Sequence, residues 1–396
     1  MDKEINLFTF PRDMREGRGI KRSLHVFVVG NDDSVFDFSS PLFHKVSSYT
    51  KILGRVTIFC RTRKIFSKAL ILQGPLTIYA VCAKNPMVFL VRTFVLGRRA
   101  IRRESSSFRI VTADNPFEEG LTAWLLARFS RMPLHLQVHT DIMSPFFRRA
   151  SWKEGVRYLL ARFLIPRADC MRVVSQRIKD SVRFPKVVVL PIWTDTAKFL
   201  KAKPHPSVEE RFRGYTFKMV AVGRFVDKEK NFSMLIEIMR DFVKICPRAL
   251  LVLVGDGPDK ISYQRLVARY GLQNNIVIEK VLSDTLPSFL KSFDLFVLSS
   301  NYEGWGRVVI EAMASGLPVV MTDVGLAGEV VKNGENGMVA PVGDKKKFFS
   351  ILQELAQDTA KRARLKNAAL ETVLAASPKT QEEYNLLYKE SFYRCV

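Results

Sequence analysis

Short apolar runs alternate with longer amphipathic stretches along almost the whole of this 396-residue chain. The alternation is typical of parallel α/β units, in which each buried strand is followed by a helix that packs on the sheet. A first series of predicted strands comprises INLFTF (5–10), LHVFVVG (24–30), VTIFC (56–60), LTIYAV (76–81), FRIVTA (108–113), LHLQVH (134–139) and MRVVS (171–175). A second series comprises FKMVAVG (217–223), LLVLVG (250–255), NIVIEK (275–280), DLFVLSS (294–300) and LPVVMT (317–322).

Two separate series of strands indicate two doubly wound domains, which also suits a chain too long for one core. The segment KAKPHPSVEERFRG (201–214) is rich in charge and proline and is the predicted linker. We therefore expect an N-terminal domain over residues 1–200 and a C-terminal domain over residues 201–377. Residues 378–396 have the pattern of one more amphipathic helix.

The positive charge of the chain is unevenly spread. The net charge is +23, and residues 1–200 carry 34 Lys and Arg against 16 Asp and Glu. Residues 51–103 contain no acidic residue. A basic N-terminal half indicates an anionic partner, either nucleic acid, a phosphorylated substrate or the cytoplasmic leaflet of a membrane. The alternative is that the charge serves solubility alone.

Cysteine usage and hydropathy indicate the compartment. The cysteines Cys60, Cys82, Cys170, Cys246 and Cys395 are odd in number and lack CxxC spacing, which argues against a disulfide framework and a zinc site. Apolar runs fall short of the ~18–20 residues that span a bilayer. The first residues lack the pattern of a secretory signal. The cytoplasm is the expected location.

In the second series, the first strand ends in Gly223-Arg224, and Lys230 follows before an apolar helix. Open α/β sheets bind ligands where strands end and helices begin, and helix N-termini attract phosphate. An Arg and a Lys beside such a turn could hold a diphosphate, although surface turns often carry these residues. The next strand ends in Gly255-Asp256-Gly257, which permits close approach of a flat ring or a phosphate, or forms a tight turn.

Two carboxylates, Glu303 and Glu311, stand with seven residues between them in NYEGWGRVVIEAMASGLPVV (301–320). A helix beginning near Gly306 leaves Glu303 in the loop and puts Glu311 inside the helix, just over two turns along at ~3.6 residues per turn. Glu311 lies among apolar residues, where an unpaired carboxylate is costly to bury. A ligand hydroxyl pair would satisfy it, and so would exposure on the helix surface.

The segments GRFVDKEKN, VGDGP and Glu-x7-Glu occur in this order within one domain. With them the chain resembles the retaining glycosyltransferases of the GT-B fold, in particular glycosyltransferase family 4. The resemblance covers nearly all of residues 108–350. It implies two Rossmann-like domains facing across a cleft, with the C-terminal helix crossing back to pack on the N-terminal domain.

The resemblance also implies roles for individual residues. Arg224 and Lys230 would bind the donor diphosphate, Glu303 the sugar hydroxyls and Glu311 the ribose. The donor site as a whole would comprise Gly223, Arg224, Lys230, Gly255, Gly257, Val281, Glu303, Gly304, Trp305, Gly306, Arg307, Val308 and Glu311. His139 would lie near the transferred sugar and join Arg224, Lys230 and Glu303 as a catalytic residue. Asn115 and Asp141 would line the acceptor side.

By the same resemblance, the chain would be a retaining hexosyltransferase that moves a sugar from a UDP- or GDP-sugar to a lipid-linked or cell-surface glycan precursor. No cofactor or metal is expected, because Arg224, Lys230 and helix N-termini could stabilise the leaving diphosphate. No nucleic acid is expected, because the basic tract lacks clustered aromatic residues and any known binding module. Two departures concern the acceptor and the base: PRDMREGRGIKR (11–22) follows the first predicted strand, and Lys280 replaces the family's usual glycine. The alternatives are a GT-B-fold sugar-nucleotide epimerase and a basic non-catalytic nucleic-acid-binding protein.

The segment SPFFRRASWKEGVRYLLARFLIP (144–166) combines apolar residues at helical spacing with many basic ones. Such a helix lies on anionic lipid or packs on the sheet. We expect most of its apolar face to pack in the core and its basic residues to form a rim facing the leaflet. This expectation corresponds to a peripheral protein at the inner face of the cell membrane.

Overall fold

The structure, a computed structural model, describes residues 24–64, 70–104, 108–376 and 380–395, and these form two α/β units. The first unit comprises the described part of Phe8–Pro191 and Pro378–Val396, and the second is Ile192–Ser377. The chain therefore changes unit after Pro191 and again after Ser377. INLFTF (5–10) and PRDMREGRGIKR (11–22) lie outside the described residues.

The first unit is built on an eight-stranded sheet in the order β3-β4-β2-β1-β5-β6-β7-β8. Its strands are β1 Leu24–Gly30, β2 Gly54–Thr62, β3 Leu70–Gln73, β4 Leu76–Cys82, β5 Phe108–Ala113, β6 Leu134–Val138, β7 Cys170–Val173 and β8 Val187–Val189. Its helices are α1 Pro41–Leu53, α2 Pro86–Arg102, α3 Glu118–Ser130, α4 Pro145–Ala150, α5 Trp152–Leu164 and α6 Gln176–Val182, together with the last helix, Gln381–Tyr393. All neighbouring strands pair in parallel except β3 and β4, which form an antiparallel pair.

The second unit has a six-stranded, fully parallel sheet in the order β11-β10-β9-β12-β13-β14. Its strands are β9 Phe217–Val222, β10 Ala249–Val254, β11 Ile276–Glu279, β12 Leu295–Leu298, β13 Val319–Thr322 and β14 Met338–Ala340. Its helices are α7 Thr196–Lys201, α8 Pro206–Arg211, α9 Asp227–Lys230, α10 Phe232–Phe242, α11 Lys260–Arg269, α12 Leu286–Leu290, α13 Arg307–Ala314, α14 Lys345–Gln357 and α15 Thr359–Leu374. The last helix of the chain, Gln381–Tyr393, is α16.

The two sheets, one predominantly and one fully parallel, confirm the predicted α/β class with two Rossmann-like domains. Every predicted strand within the described residues is present, with ends that differ by a few residues at most. The short strands β3, β8 and β14 were not predicted, because runs of three or four residues carry little periodic signal. Residues 201–214, the predicted linker, contribute α8 to the second unit, where Val208 and Phe212 are buried.

Strand order reverses once in each sheet, which creates a switch point. In the second unit the chain moves outward from β9 to β10 and β11, then returns to pair β12 with the other side of β9. In the first unit the corresponding switch lies between β1 and β5. The crevice at the carboxyl ends of such strands is the usual ligand site of open α/β sheets.

The last helix, α16, completes the core of the first unit by packing on α1 and β7. Tyr384 and Phe392 of this helix are buried, and Tyr384 accepts a 2.6 Å hydrogen bond from the buried Arg172 on β7. Cys395 forms a disulfide with Cys170. The expectation that the cysteines form no disulfide was wrong for this pair, because the fold brings together residues 225 positions apart in sequence.

Helix α5 contradicts the expectation that its apolar face packs in the core. Ala161 and Leu164 are its buried residues, whereas Trp152, Val156, Leu159 and Phe163 are exposed. Helical spacing shows that apolar residues share a face, but it does not show which face meets the sheet. Among the described helices, none combines the length and apolar composition that crossing a bilayer requires.

Candidate functional site

The strongest candidate site lies at the switch point of the second sheet, where β9 and β12 end side by side. After β9 the chain passes through Gly223 and Arg224 into the short helix α9, which ends at Lys230. After β12 it forms a loop that contains Glu303 and leads into α13. Sequence-predicted residues that lie more than 70 positions apart thus meet at one sheet edge.

Lys230 and Glu303 form an ion pair at the centre of this site. The Lys230 Nζ is 2.6 Å from Glu303 Oε1, and both side chains are largely buried. Burial alone would lower the pKa of Lys230, but the carboxylates of Glu303 and Glu229 raise it above its usual value. Lys230 is therefore a cation at neutral pH, and Glu303 receives a second hydrogen bond, 2.8 Å long, from the Ser300 hydroxyl.

Glu229 links the two predicted phosphate-binding cations. Its carboxylate lies 2.9 Å from Lys230 Nζ and 3.2 Å from Arg224 Nη2. Arg224 is mostly exposed, so its guanidinium can reorient toward a ligand, whereas Lys230 is held from two sides. Sequence reasoning missed this role of Glu229, although its position directly before Lys230 was a usable signal.

The N-terminus of α13 opens onto the same loop without a side-chain cap. Gly306 occupies the N-cap position with φ +90°, a left-handed conformation that favours glycine. Among the described residues, no hydrogen bond satisfies the backbone N–H groups of the preceding loop and first turn, Gly304, Trp305, Gly306, Arg307 and Val308. Uncapped N–H groups at a helix start attract anions.

Glu311 is buried inside α13, and its partner is Arg307 one turn earlier. The Arg307 Nε is 3.0 Å from Glu311 Oε1, and the guanidinium is more than half exposed. Burial raises the pKa of Glu311, while Arg307 and Lys198 oppose that shift. The ion pair is therefore a third way to satisfy this carboxylate, besides a ligand hydroxyl pair and exposure on the helix surface.

The glycines of GDGP serve the backbone of the neighbouring loop. A Cβ on Gly255 would lie 1.9 Å from the Gly223 carbonyl oxygen, and one on Gly257 would lie 2.5 Å from the Phe225 carbonyl oxygen. The Phe225 N–H donates a 2.9 Å hydrogen bond to the Asp256 carbonyl. These contacts fix the turn that carries Arg224, so a larger residue at Gly255 or Gly257 would displace it.

Val281 follows a strand that does not neighbour β9 in the sheet. It follows β11, which is separated from β9 by β10, and it is partly buried. The preceding residue, Lys280, lies 3.9 Å from Asp256. Asp256 and Val281 thus lie along the same carboxyl edge of the sheet as Lys230 and Glu303.

The corresponding edge of the first sheet carries His139, Asp141 and Asn115. Burial, with Arg172 and Lys45 nearby, holds the pKa of His139 well below its usual value, so the imidazole is neutral at pH 7. Burial raises the pKa of Asp141, although its carboxylate accepts a 3.2 Å hydrogen bond from the Ser144 N–H. The Asn115 side chain accepts a 3.0 Å hydrogen bond from the Phe117 N–H.

Asp114 and Glu119 join this edge and were not predicted as site residues. Burial raises the pKa of Asp114 to about 6, with Lys45 and Arg172 opposing and Glu119 adding to the shift. Glu119 is buried and accepts a 2.8 Å hydrogen bond from Asn31, while its second oxygen has no partner among the described residues. Both acids belong to the segment ADNPFEEG, so their clustering after a strand was a usable signal.

Arg172 organises the interior beneath this edge. Its guanidinium donates to Gln137 at 2.8 Å, to the hydroxyl of Tyr384 at 2.6 Å and to the Leu190 carbonyl at 3.1 Å. A charged residue inside the predicted strand MRVVS signalled a buried polar partner, but its partner Tyr384 lies more than 200 residues away. The described residues contain no group of three or more His, Cys, Asp or Glu that could hold a metal ion.

Comparison with known proteins assigns the family. The model for glycosyl transferases group 1 matches residues 207–372. The capsular polysaccharide biosynthesis glycosyltransferase CapM of Staphylococcus aureus is 32% identical over 265 residues, which cover 64% of this chain and 68% of CapM. The chain belongs to the glycosyl transferases group 1 family.

Other similar proteins extend this result. The lipopolysaccharide core biosynthesis glycosyltransferase LpsE of Rhizobium meliloti is 33% identical over 156 residues, 39% of this chain. That match spans 44% of LpsE, less than half its length. The crystal structure of Anabaena HepE in complex with UDP has a TM-score of 0.65 at 18% identity and covers 93% of this chain and 98% of HepE. This group 1 glycosyltransferase chain therefore has the GT-B fold that its sequence predicted.

Proposed function

We propose that this protein transfers a sugar from a nucleoside diphosphate donor to an acceptor, with retention of the anomeric configuration. The observation that carries the proposal is the cluster of Arg224, Glu229, Lys230 and Glu303 beside the uncapped N-terminus of α13. It combines two cations and free N–H groups for a diphosphate with a carboxylate for hydroxyls. Family membership supports the reaction class.

In this proposal the Lys230–Glu303 ion pair opens when the donor binds. The diphosphate attracts Lys230, and the Glu303 carboxylate then accepts hydrogen bonds from the sugar hydroxyls. Both charged groups keep a partner throughout, so the partly buried site never holds an isolated charge. Charge that develops on the leaving diphosphate meets Arg224, Lys230 and the α13 amides, and no metal ion is needed.

Glu311 binds the ribose in this proposal, and Arg307 holds its carboxylate in place. Gly223, Gly255 and Gly257 keep the β9 and β10 turns close, and Val281 borders the base. His139, Asn115 and Asp141 serve the acceptor. A neutral imidazole and a carboxyl of raised pKa suit hydrogen bonds with sugar hydroxyls better than with a charged group.

The donor is tested first by thermal shift with UDP- and GDP-sugars, because a ligand that binds the native state raises its apparent stability. UDP-sugars come first because the similar HepE structure contains UDP. Lipid-linked acceptors come first because the relatives CapM and LpsE are named for capsular polysaccharide and lipopolysaccharide core biosynthesis. The proposal includes a peripheral position at the inner face of the cell membrane.

Glu303→Gln gives the sharpest variant, with Glu335→Gln as its matched control on an exposed loop of the same unit. We expect Glu303→Gln to lose transfer activity while Glu335→Gln keeps it. Product analysis by NMR must show the anomeric configuration of the donor. Conversion of the donor sugar without an acceptor would instead indicate an epimerase, and salt-sensitive RNA binding without donor binding would indicate a nucleic-acid-binding protein.

A further inference from the structure

The outer surface of α5 carries a continuous apolar stripe. Trp152, Val156, Leu159 and Phe163 follow one another at intervals of three or four residues, so they share one face of the helix. Trp152 is 84% exposed and Leu159 is 64% exposed. Side chains of this size usually leave water on folding, and a contiguous exposed set indicates an interaction surface.

Helix α2 repeats this arrangement. Its inner face buries Phe89, Thr93, Gly97 and Ile101 at four-residue intervals. Its outer face exposes Met87, Val91 and Val95 at the same interval, with Met87 66% exposed and Val91 57% exposed. Two separate helices of one unit thus present apolar stripes to solvent.

Helix α3 joins the two helices on one side of the sheet. Strand connections through α2, α3 and α5 all run in the same direction across the sheet, so right-handed crossovers put the three helices on one face. Aromatic edge contacts link them: Phe94 of α2 with Phe129 of α3 at 5.5 Å, and Trp124 of α3 with Phe163 of α5 at 5.4 Å. Phe129 is itself exposed.

We call this surface the α2–α5 face, defined by the exposed apolar residues Met87, Val91, Val95, Phe129, Trp152, Val156, Leu159 and Phe163. Its charge is strongly positive. The three helices carry the basic residues Arg92, Arg98, Arg99, Arg102, Arg128, Lys153, Arg157 and Arg162. Against these eight basic residues the three helices carry three acidic ones, Glu118, Glu119 and Glu154. Glu118 and Glu154 both pair with Arg157, and Glu119 is buried, so the other basic residues keep an excess of positive charge.

We propose that the α2–α5 face docks the protein on an anionic phospholipid bilayer, an inference that rests on the proposed function only in expecting the acceptor at a membrane. The apolar stripes enter the headgroup region, and the surrounding arginines meet lipid phosphates. A basic amphipathic surface with Trp, Phe and Leu suits this location. A second copy of the chain fits less well, since pairing two such faces brings like charges together.

The test is co-sedimentation of the purified full chain with vesicles of phosphatidylcholine alone and of phosphatidylcholine mixed with phosphatidylglycerol. The test variant is Trp152→Ser with Leu159→Ser. The control is Ile261→Ser on α11 of the other unit, an apolar residue that is 60% exposed, close to the exposure of Leu159. We expect wild type and control to bind phosphatidylglycerol vesicles at low salt. The double variant should bind roughly tenfold or more weakly, because two large apolar side chains no longer leave water.

Donor binding by thermal shift is measured on the same preparations to separate this inference from the proposed function. An unchanged circular dichroism spectrum and melting temperature of the double variant show that its first unit is folded, and unchanged donor binding shows that its second unit is intact. If wild type fails to bind phosphatidylglycerol vesicles, or if the double variant binds them as wild type does, the membrane inference is overturned whatever the donor result. A dimer in solution that the double variant dissociates would also overturn it, because the face would then pair with a second copy.

Discussion

Both sheets have a switch point at the carboxyl ends of their strands, but the ionisable side chains there differ in charge state. In the second unit, Lys230 pairs with Glu303 and Arg307 pairs with Glu311, so full charges are kept and matched. In the first unit, burial raises the pKa of Asp114 and lowers that of His139, which favours their neutral forms. The first pattern suits a charged diphosphate, and the second suits uncharged hydroxyls.

Lys230 gives the most direct test of the charged edge of the second sheet. We expect Lys230→Gln to lower kcat by about 10²–10³-fold, the usual cost of removing one group that stabilises developing negative charge. The measurement is the initial rate at saturating donor. Lys228→Gln, an exposed lysine on the same short helix, is the matched control and should leave the rate unchanged. Equal rates for the two variants would show that Lys230 does not contribute to the transfer reaction.

The carboxyl edge of the first sheet, where burial favours neutral side chains, is tested by how stability changes with pH through Asp114. Its pKa is raised from 3.8 to about 6, so between these values the folded state binds more protons than the unfolded state. Stability from this group is therefore present below pH 4 and lost as pH rises to about 6. Asp114→Asn mimics the protonated form and should gain stability over wild type across this window.

The size of that gain is bounded by the shift. One pKa unit corresponds to about 1.4 kcal/mol, so the advantage of Asp114→Asn at pH 7 is at most roughly 3 kcal/mol. Partial solvent exposure of the side chain makes this an upper bound. Hydrogen-exchange protection of β5 amides at pH 4 and pH 7 measures it within the first unit. A difference between variant and wild type that does not change with pH would contradict the raised pKa.

Glu311 sharpens the comparison within the second unit. If it binds the ribose, Glu311→Gln should raise the donor KM by about 10–100-fold, because a hydrogen bond to a charged group contributes ~1.5–3 kcal/mol. If Glu311 serves only to pair with Arg307, the variant should change stability and leave KM as it was. The readout is donor KM at fixed acceptor, with the exposed Glu335→Gln as control.

The smallest expected effect is that of metal removal. Arg224, Lys230 and the α13 amides already supply positive charge at the second edge, so EDTA should leave the rate unchanged. The measurement compares initial rates before and after dialysis against EDTA, with and without added Mg²⁺. Loss of activity that Mg²⁺ restores would show that these cations do not suffice.

Sequence patterns predicted the long elements well and the pairwise contacts poorly. The apolar runs of β1 and β5 were sufficient to give both of their ends, whereas β3 and β14 are edge strands of three or four residues with little periodicity. The family resemblance pointed to Lys230 and Glu303, but their contact depends on how β9 and β12 lie side by side. Arg307 as the partner of Glu311 was readable from four-residue spacing alone.

Two failures have a common physical cause. The apolar stripe of α5 was expected in the core, and the disulfide of Cys170 with Cys395 was not expected at all. Local sequence indicates whether a residue is apolar or polar. Whether it is buried, and against which partner, depends on elements that are distant in the sequence. Arg172 shows the same dependence, since its partner Tyr384 comes from the last helix.

The return of α16 to the first unit has a consequence for the order of folding during synthesis. The ribosome completes Ile192–Ser377 before it makes the residues that fill the core of the first unit. At that stage Tyr384, Tyr388 and Phe392 have not been synthesised, so Arg172 and Gln137 lack the tyrosine hydroxyls that accept their hydrogen bonds. The first unit therefore cannot complete its core until the second unit has been synthesised, and until then the incomplete core exposes apolar surface of the kind that promotes aggregation.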